Sequence, residues 1–243
     1  MADATTEIRP GEVFAETAEF DTRIRELLPH YDSLLDAIVR CVPPGAERIL
    51  ELGCGTGELS HKLLARCPQA QLVGIDYSPR MLAAASDKLQ AAGAGDRWQG
   101  LELDFGEWAN SQHARETGTA FDAIISSLAI HHLSDADKQQ LLQQACRSLK
   151  AGGAFWNADP LLPEAPALAD ADDEARMAWA QQHGIDREAV RARIGTSVPC
   201  GHSGPDRLAT LEAQLQMLRE AGFHPVAVPW KHYNLAAFGG FKA

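Results

Sequence analysis

Residues 49–57 read Ile49-Leu50-Glu51-Leu52-Gly53-Cys54-Gly55-Thr56-Gly57, an apolar run followed by glycines at every second position. A helix-like stretch begins directly after them. A strand that ends in alternating glycines can turn sharply into a helix, and it leaves no Cβ between the backbone and a ligand lying across the turn. The pattern predicts a strand–turn–helix unit that holds a nucleoside cofactor.

Short apolar segments alternate with amphipathic, helix-like segments on both sides of this unit. Strands are predicted over 48–52, 71–75, 101–103, 121–126 and 154–158, with two further strand-like segments over 226–230 and 235–241. Alternating strands and helices predict an α/β fold with a mostly parallel sheet and helices on both faces. Ligands of such sheets lie beyond the carboxyl ends of the strands.

Two of the later helices have sequence signals at their ends. Ser134 with Asp137 resembles a capping box, and it predicts a helix that carries Leu149 and stops at glycines 152–153. Another helix is predicted over 206–221.

The sequence divides into an N-terminal region and a cofactor domain. Residues 1–40 are predicted to form a loose tail and a helical cap interrupted at Pro29. Residues 41–243 are predicted to form the cofactor domain, with a lid-like insertion over 159–205. Trp179, within the insertion, fits either a lid that closes over a substrate or an ordinary packing helix.

Acidic residues follow the second and third predicted strands. A dinucleotide fingerprint needs glycine at its sixth position, where this chain has Glu58, so pyrophosphate binding is disfavoured. Asp76 instead lies where a carboxylate can accept both ribose hydroxyls. Asp104 can accept from an adenine amino group, with Phe105 against the base. The glycine turn and the two acids together predict an adenosine site.

These motifs resemble those of the class I S-adenosylmethionine-dependent methyltransferases, from about residue 48 to the C-terminus. The likeness is carried by the glycine motif at 51–57, the acid within 74–79, the pair at 104–105, the run 121–133 and the segment 149–153. The resemblance implies a Rossmann-like sheet of seven strands, with the last strand antiparallel and inserted near the edge. It also implies S-adenosylmethionine as cofactor. The implied cofactor-binding residues are Tyr31, Glu51, Gly53, Cys54, Gly55, Gly57, Asp76, Tyr77, Met81, Asp104, Phe105 and Ser127.

Both ends of the chain are similar to the branch that contains carboxy-S-adenosylmethionine synthase. The similar segments are 20–21, 29–31, 221–223 and 230–234. In that branch the tyrosine matching Tyr31 reaches the cofactor, and an arginine holds the extra carboxylate at the position matching Met217. Because a desolvated carboxylate without a cation is costly, ordinary S-adenosylmethionine is expected here.

Candidate catalytic residues follow the fourth strand and precede the last one. His131 or His132 can act as a general base, since unperturbed histidine titrates near pH 6.5, or the pair can cap the strand and pack under a helix. Tyr233 is a further acceptor contact or part of a local turn. In-line methyl transfer needs no strong protein nucleophile, because alignment and exclusion of water carry much of the catalysis.

Composition narrows the class of protein. The 243 residues contain 22 Lys and Arg against 33 Asp and Glu, a formal charge of -11, which disfavours nucleic acid and anionic membranes as partners. No apolar run approaches the length of a membrane helix, so a cytoplasmic protein is expected. The cofactor motifs and the acidic charge favour a small-molecule methyl acceptor. The five cysteines show no CxxC spacing, and with the nine histidines they form no short-range metal motif, so no metal is expected.

Three functions remain open at this point. They are a small-molecule methyltransferase, a carboxy-S-adenosylmethionine synthase that remodels the cofactor, and a non-catalytic protein that binds S-adenosylmethionine. The sequence leaves the oligomeric state open, a homodimer included.

Overall fold

The computed structural model describes residues 17–110, 114–186, 189 and 205–243. A single seven-stranded sheet runs through them in the order β3-β2-β1-β4-β5-β7-β6. The five strands from β3 to β5 are parallel to their neighbours, and β7 is antiparallel to both β5 and β6. The predicted mostly parallel sheet, with the last strand antiparallel and inserted near the edge, is confirmed.

The strands are β1 (Arg48–Leu52), β2 (Gln71–Asp76), β3 (Trp98–Glu102), β4 (Phe121–Ser127), β5 (Leu149–Pro160), β6 (Phe223–His232) and β7 (Leu235–Lys242). The helices are α1 (Thr17–Leu27), α2 (Tyr31–Cys41), α3 (Glu58–Arg66), α4 (Pro79–Ala91), α5 (Phe105–Ala109), α6 (Ala114–Thr117), α7 (Asp135–Ser148), α8 (Pro166–Gln182) and α9 (Leu211–Ala221). Short 3-10 turns lie at Gly95–Arg97 and Ile130–His132.

Hydrophobic side chains cover both faces of the sheet, because successive strand residues point to opposite sides. Ile49 belongs to a core cluster with α2 and α3, whereas Leu50 belongs to a second cluster with α5, α7 and α9. Each helix layer therefore buries one face of the central strands.

The boundary between α7 and β5 differs from the prediction. Ser134 caps α7 as expected, its side chain accepting a hydrogen bond from the Asp137 backbone N–H, but the helix ends at Ser148. Leu149 is extended and pairs with Phe121, so its buried side chain belongs to β5. The prediction that Leu149 lies on the helix was wrong, because an apolar residue at helical spacing can also be the first inward residue of a strand.

The start of the last helix was also predicted too early. Thr210 caps α9 through a bond from the Ala213 N–H, which places the N-terminus at Leu211. The preceding residues follow the surface of the domain, where the Leu162 N–H donates to the Ala209 carbonyl at 2.9 Å. The predicted end of the helix before Gly222 is confirmed, since this glycine has a φ of 104°.

The predicted helical cap consists of α1 and α2, separated around Pro29 as expected. Residues 1–16 of the predicted tail lie outside the described residues. Residues 187–188 and 190–204 of the predicted insertion also lie outside them. The structure describes α8 in that insertion. Among the described residues no helix is both long and apolar enough to cross a bilayer.

Candidate functional site

A pocket lies at the carboxyl ends of β1, β2 and β4, partly open to solvent. Ten of the twelve predicted cofactor residues line it, and only Gly57 and Asp104 do not. The described residues that line it are Phe20, Tyr31, Glu51, Gly53, Cys54, Gly55, Thr56, Glu58, Leu59, Asp76, Tyr77, Met81, Phe105, Ser127, Leu128, Ala129 and His132.

The glycine turn shapes the floor of this pocket. Gly53 has a φ of +69°, and a Cβ there would lie 2.5 Å from the Ala129 Cβ, so only glycine fits without displacement. Gly55 also has positive φ, and a Cβ there would meet nothing within 4 Å, so its bare backbone faces open space. Gly57 instead lies against Ala85 of α4, which makes its role one of packing.

The two strand-end aspartates have different surroundings. Asp76 lines the pocket and accepts from the Gly55 N–H and the Ser78 N–H, both at 2.9 Å, which fixes the glycine turn to β2. Asp104 accepts from the Gly106 N–H at 2.7 Å and caps α5. The structure brings Asp76 into the site and Asp104 only to its border, so the contact between Asp104 and adenine stays a prediction.

Glu51 is a buried acid at the base of the pocket, 2 % exposed. Burial raises its pKa to about 8, and the negative charge of Asp76 adds to that rise, while a hydrogen bond from the Ser60 hydroxyl opposes it. A cationic group in the pocket would favour the ionised form of Glu51, since opposite charges stabilise one another most in such an environment.

Helix α1 is fastened over the pocket by charged groups. Asp21 accepts from the Thr56 hydroxyl and from Lys88 Nζ, both at 2.5 Å. Glu58 pairs with Lys88 and with Arg25, the latter at 2.6 Å. These contacts, called the α1 clamp below, join α1 to the first turn of α3 and to α4.

Phe20 and Tyr31 bring aromatic rings to the pocket from the cap. Tyr31 is 6 % exposed, burial raises the pKa of its hydroxyl, and the Arg25 guanidinium lies 5.3 Å from its ring centroid. The predicted position of Tyr31 at the cofactor pocket agrees with the structure. Phe20 was quoted in the sequence only as part of a terminal motif.

The two candidate histidines have different positions. His132 lines the pocket, whereas His131 lies behind it, 7 % exposed, and its Nδ1 donates to Asp159 Oδ1 at 2.7 Å. Asp159 is fully buried and also accepts from the Asn157 amide at 2.8 Å. His132 is therefore placed to meet a substrate, and His131 is held by a buried carboxylate.

Two other candidates lie outside the pocket lining. Tyr233, the third predicted catalytic residue, is 44 % exposed in the turn between β6 and β7, where its carbonyl accepts from Lys231 Nζ. Trp179 of α8 stacks on His183, the residue that follows this helix, with ring centroids 4.6 Å apart. The structure brings neither into the pocket, so a chemical role for either stays a prediction.

Several lining residues were not found from the sequence, among them Thr56, Glu58, Leu128 and Ala129. Thr56 and Glu58 lie inside or beside the glycine motif and could have been found from it. Leu128 and Ala129 follow β4, and only the folded chain shows that they face the glycine turn. The expectation of no metal stays a prediction, but the fold brings His131, His132 and Asp206 together in a group that the sequence did not indicate.

One further observation indicates that the pocket fits an adenosine-type cofactor. The Ser127 hydroxyl is buried among the lining residues and has no hydrogen-bond partner in the described structure. Since buried polar groups normally have partners, this hydroxyl indicates a polar ligand in the pocket. Together with Asp76 and the bare backbone at Gly55, the residues fit a ligand that carries a sugar and polar groups.

Comparisons with known proteins identify methyltransferases among the similar chains. Residues 49–153 match the model of a methyltransferase domain family. The chain is 34% identical to the uncharacterized methyltransferase YrrT of Bacillus subtilis over 69% of this chain and 71% of that protein. It is 23% identical to the carboxy-S-adenosyl-L-methionine synthase of Nautilia profundicola over 92% of this chain and 90% of that one.

A solved structure of similar fold is that of an O-methyltransferase family protein from Burkholderia thailandensis. Its TM-score is 0.66 at 18% identity, with coverage of 97% of this chain and 63% of that one. This chain therefore spans less than two thirds of that protein, and the likeness concerns the fold.

Proposed function

Since the chain belongs to the class I S-adenosylmethionine-dependent methyltransferases, we propose that it transfers the methyl group of that cofactor to a small-molecule acceptor by in-line displacement. The observation that carries the proposal is the covered pocket itself. Asp76, Gly55 and the partnerless Ser127 hydroxyl offer polar contacts on its floor, and Phe20 and Tyr31 cover it from the cap.

The shape and charge of the pocket support a small acceptor. Helix α1 and its clamp narrow the approach to the site, and none of the described lining residues is Lys or Arg. A polyanionic acceptor such as nucleic acid would be hindered by the covering helix α1 and repelled by the overall charge of -11.

The chain's own residues would mainly bind and align the reactants. S-adenosylmethionine supplies an activated methyl group on a sulfonium. Asp76 would hold the ribose, and the Tyr31 ring would favour a nearby cation by about 0.5–2 kcal/mol. His132, at the pocket wall, would contact the acceptor and assist the loss of its proton. The covering helix would exclude water while the methyl group moves.

Cofactor remodelling is the second candidate, favoured by the likeness to the Nautilia synthase over nearly the whole chain. That reaction adds a carboxylate to the cofactor, and a buried carboxylate needs a cation. The described pocket lining supplies none. Met217 carries no weight in this choice, because its side chain packs with the α7 and α9 core cluster away from the pocket lining.

Mass spectrometry of the ligand that co-purifies with the protein tests both candidates. Ordinary S-adenosylmethionine or S-adenosylhomocysteine is expected, and a cofactor heavier by one carboxylate would favour the synthase. Transfer of a labelled methyl group is then followed over hydroxyl, amine and thiol compounds, with RNA and whole protein extract as large acceptors. Labelling of RNA or protein alone would refute the small-molecule proposal.

A further inference from the structure

Two histidines and an aspartate meet beside the cofactor pocket. Within the described chain, one ligand atom from each of His131, His132 and Asp206 lies within 4.8 Å of the other two. Asp206 Oδ1 is 3.8 Å from His131 Nε2 and 3.6 Å from His132 Nδ1. These two distances approach the spacing of ligand atoms around one metal ion.

The surroundings of His131 are those of a metal-binding histidine. Its Nδ1 donates to Asp159, and the other ring nitrogen, Nε2, faces Asp206. Asp159 is itself held by Asn157. Metal-binding histidines typically donate their second ring nitrogen to a carboxylate, which fixes the tautomer and the ring orientation.

The backbone beside Asp206 is fixed to the same turn. The Arg207 N–H donates to the His131 carbonyl at 2.8 Å, and the Arg207 carbonyl accepts from Lys138 Nζ. Lys138 is fully buried and is also bonded to Asp135 at 3.0 Å. A buried lysine thus anchors the segment that carries the third ligand, although this segment lies far along the chain from the histidines.

We propose that His131, His132 and Asp206 bind a divalent first-row transition metal such as Zn²⁺. Two imidazoles and one carboxylate suit zinc or iron, and three protein ligands leave a coordination position open. This chemistry differs from that of the adenosine pocket, whose described lining shares only His132 with the cluster.

The location of the cluster also gives the open coordination position of the metal a role in methyl transfer. This part of the inference rests on the proposed function. His132 forms part of both the metal cluster and the pocket wall, so the open position lies beside the methyl donor. It would take the oxygen or sulfur of the acceptor and lower its pKa. The acceptor releases its proton to water, its heteroatom bonds to the methyl carbon, and the carbon–sulfur bond of the cofactor breaks with the electron pair left on sulfur.

Metal binding is measured on the full-length protein after treatment with EDTA. Calorimetric titration with Zn²⁺ should show one site, and Co²⁺ should give the absorption of a four- or five-coordinate ion. Asp206→Asn and His132→Asn should each weaken zinc binding by about tenfold or more, and Asp159→Asn by about 10–100-fold. His61→Asn, at an exposed histidine of α3, should leave the affinity unchanged.

Because Asp206 is exposed, Asp206→Asn should not disturb the fold. Circular dichroism checks the secondary structure of every variant. Zinc binding of equal strength in the wild type and Asp206→Asn would overturn the proposal. Titration of the same samples with S-adenosylhomocysteine separates the two proposals. Loss of the metal site alone leaves that binding intact, whereas bound metal without methyl transfer to any acceptor would refute the proposed function and keep the metal site.

Discussion

The two halves of the pocket are built from different kinds of contact. On the cofactor side, the Gly53 and Gly55 backbone N–H groups donate to the Ile75 carbonyl and to the Asp76 carboxylate of the adjacent strand–turn–helix unit. On the side of the proposed acceptor, His131 lies behind the pocket wall and meets Asp159 and Asp206, which come from the end of β5 and from the segment before α9. A local motif thus fixes the cofactor side, and only the tertiary fold assembles the acceptor side.

The largest expected difference between the halves concerns turnover. His132→Asn should lower kcat by about 10²–10⁴-fold, the usual contribution of a positioned acid or base. The affinity for S-adenosylhomocysteine should stay the same, because the substitution removes no contact of the glycine turn. Steady-state kinetics and calorimetry measure the two quantities, with His61→Asn as the control. An equal loss in kcat and in S-adenosylhomocysteine affinity would show that the two sides of the pocket do not act separately.

Steric substitution probes the cofactor side. Gly53→Ala places a methyl group 2.5 Å from the Ala129 Cβ at a φ of +69°, and it should lower the free energy of unfolding by about 2–5 kcal/mol. Gly93→Ala has the same φ with nothing within 4 Å, so it should cost only about 1–2 kcal/mol. Denaturant unfolding measures both. Equal losses would show that the clash with Ala129 is relieved.

The strand-end acids allow a matched comparison within the cofactor side. Asp76→Asn should weaken S-adenosylhomocysteine binding by about 1.5–3 kcal/mol, the range for hydrogen bonds to a charged group. Asp104→Asn removes a similar charge that also accepts backbone N–H groups but lies outside the pocket lining, so a smaller effect is expected. A loss at Asp104 as large as that at Asp76 would support the predicted adenine contact.

The buried acid predicts a pH dependence of stability. The pKa of Glu51 rises from 4.5 to about 8 on folding, so between these values the folded protein holds a proton that the unfolded chain has lost. The stabilisation is fully present below pH 4.5 and is lost as pH rises towards 8, by at most about 1.4 kcal/mol per pH unit.

Glu51→Gln should flatten this part of the profile, because an amide does not titrate. Urea unfolding of the cofactor-free protein between pH 5 and pH 8 measures the slope. Glu47→Gln, at an exposed acid just before β1, is the control and should leave the slope unchanged. A wild-type slope of zero would mean that Glu51 is ionised in the fold.

The smallest expected effect concerns the cap. Asp21→Asn removes one charge from the α1 clamp and should weaken S-adenosylhomocysteine binding by less than about 1 kcal/mol, since partly exposed ion pairs contribute little. Glu19→Gln, in the same helix but paired only locally with Arg23 among the ion pairs described, should have no effect on binding. A large loss for Asp21→Asn would show that the cap belongs energetically to the cofactor side.

The alternation of strands and helices could be predicted because each strand–helix unit carries its own signals. The bounds of β1 and the caps at Ser134 and Gly222 follow from apolar runs, a hydroxyl N-cap and a glycine, which act over a few residues. The cofactor residues of the glycine turn were predictable for the same reason.

The remaining features depend on distant contacts. Leu149 fits a helix by spacing, but its pairing with Phe121 makes it a strand residue. Asp206 was predicted to begin a helix, whereas the bond from the Arg207 N–H to the His131 carbonyl holds this segment in a non-helical path beside the site. No local pattern in the sequence marks either contact, because each needs a partner from another element.

The ion pairs of the α1 clamp bear on the rate at which the pocket exchanges its cofactor. Asp21, Glu58 and Lys88 are partly open to solvent, so dissolved salt screens their attraction. Raising the ionic strength should loosen the helix and speed the departure of spent cofactor, a step that limits the rate of many enzymes. The salt content of the surrounding medium would then set the pace of the catalytic cycle.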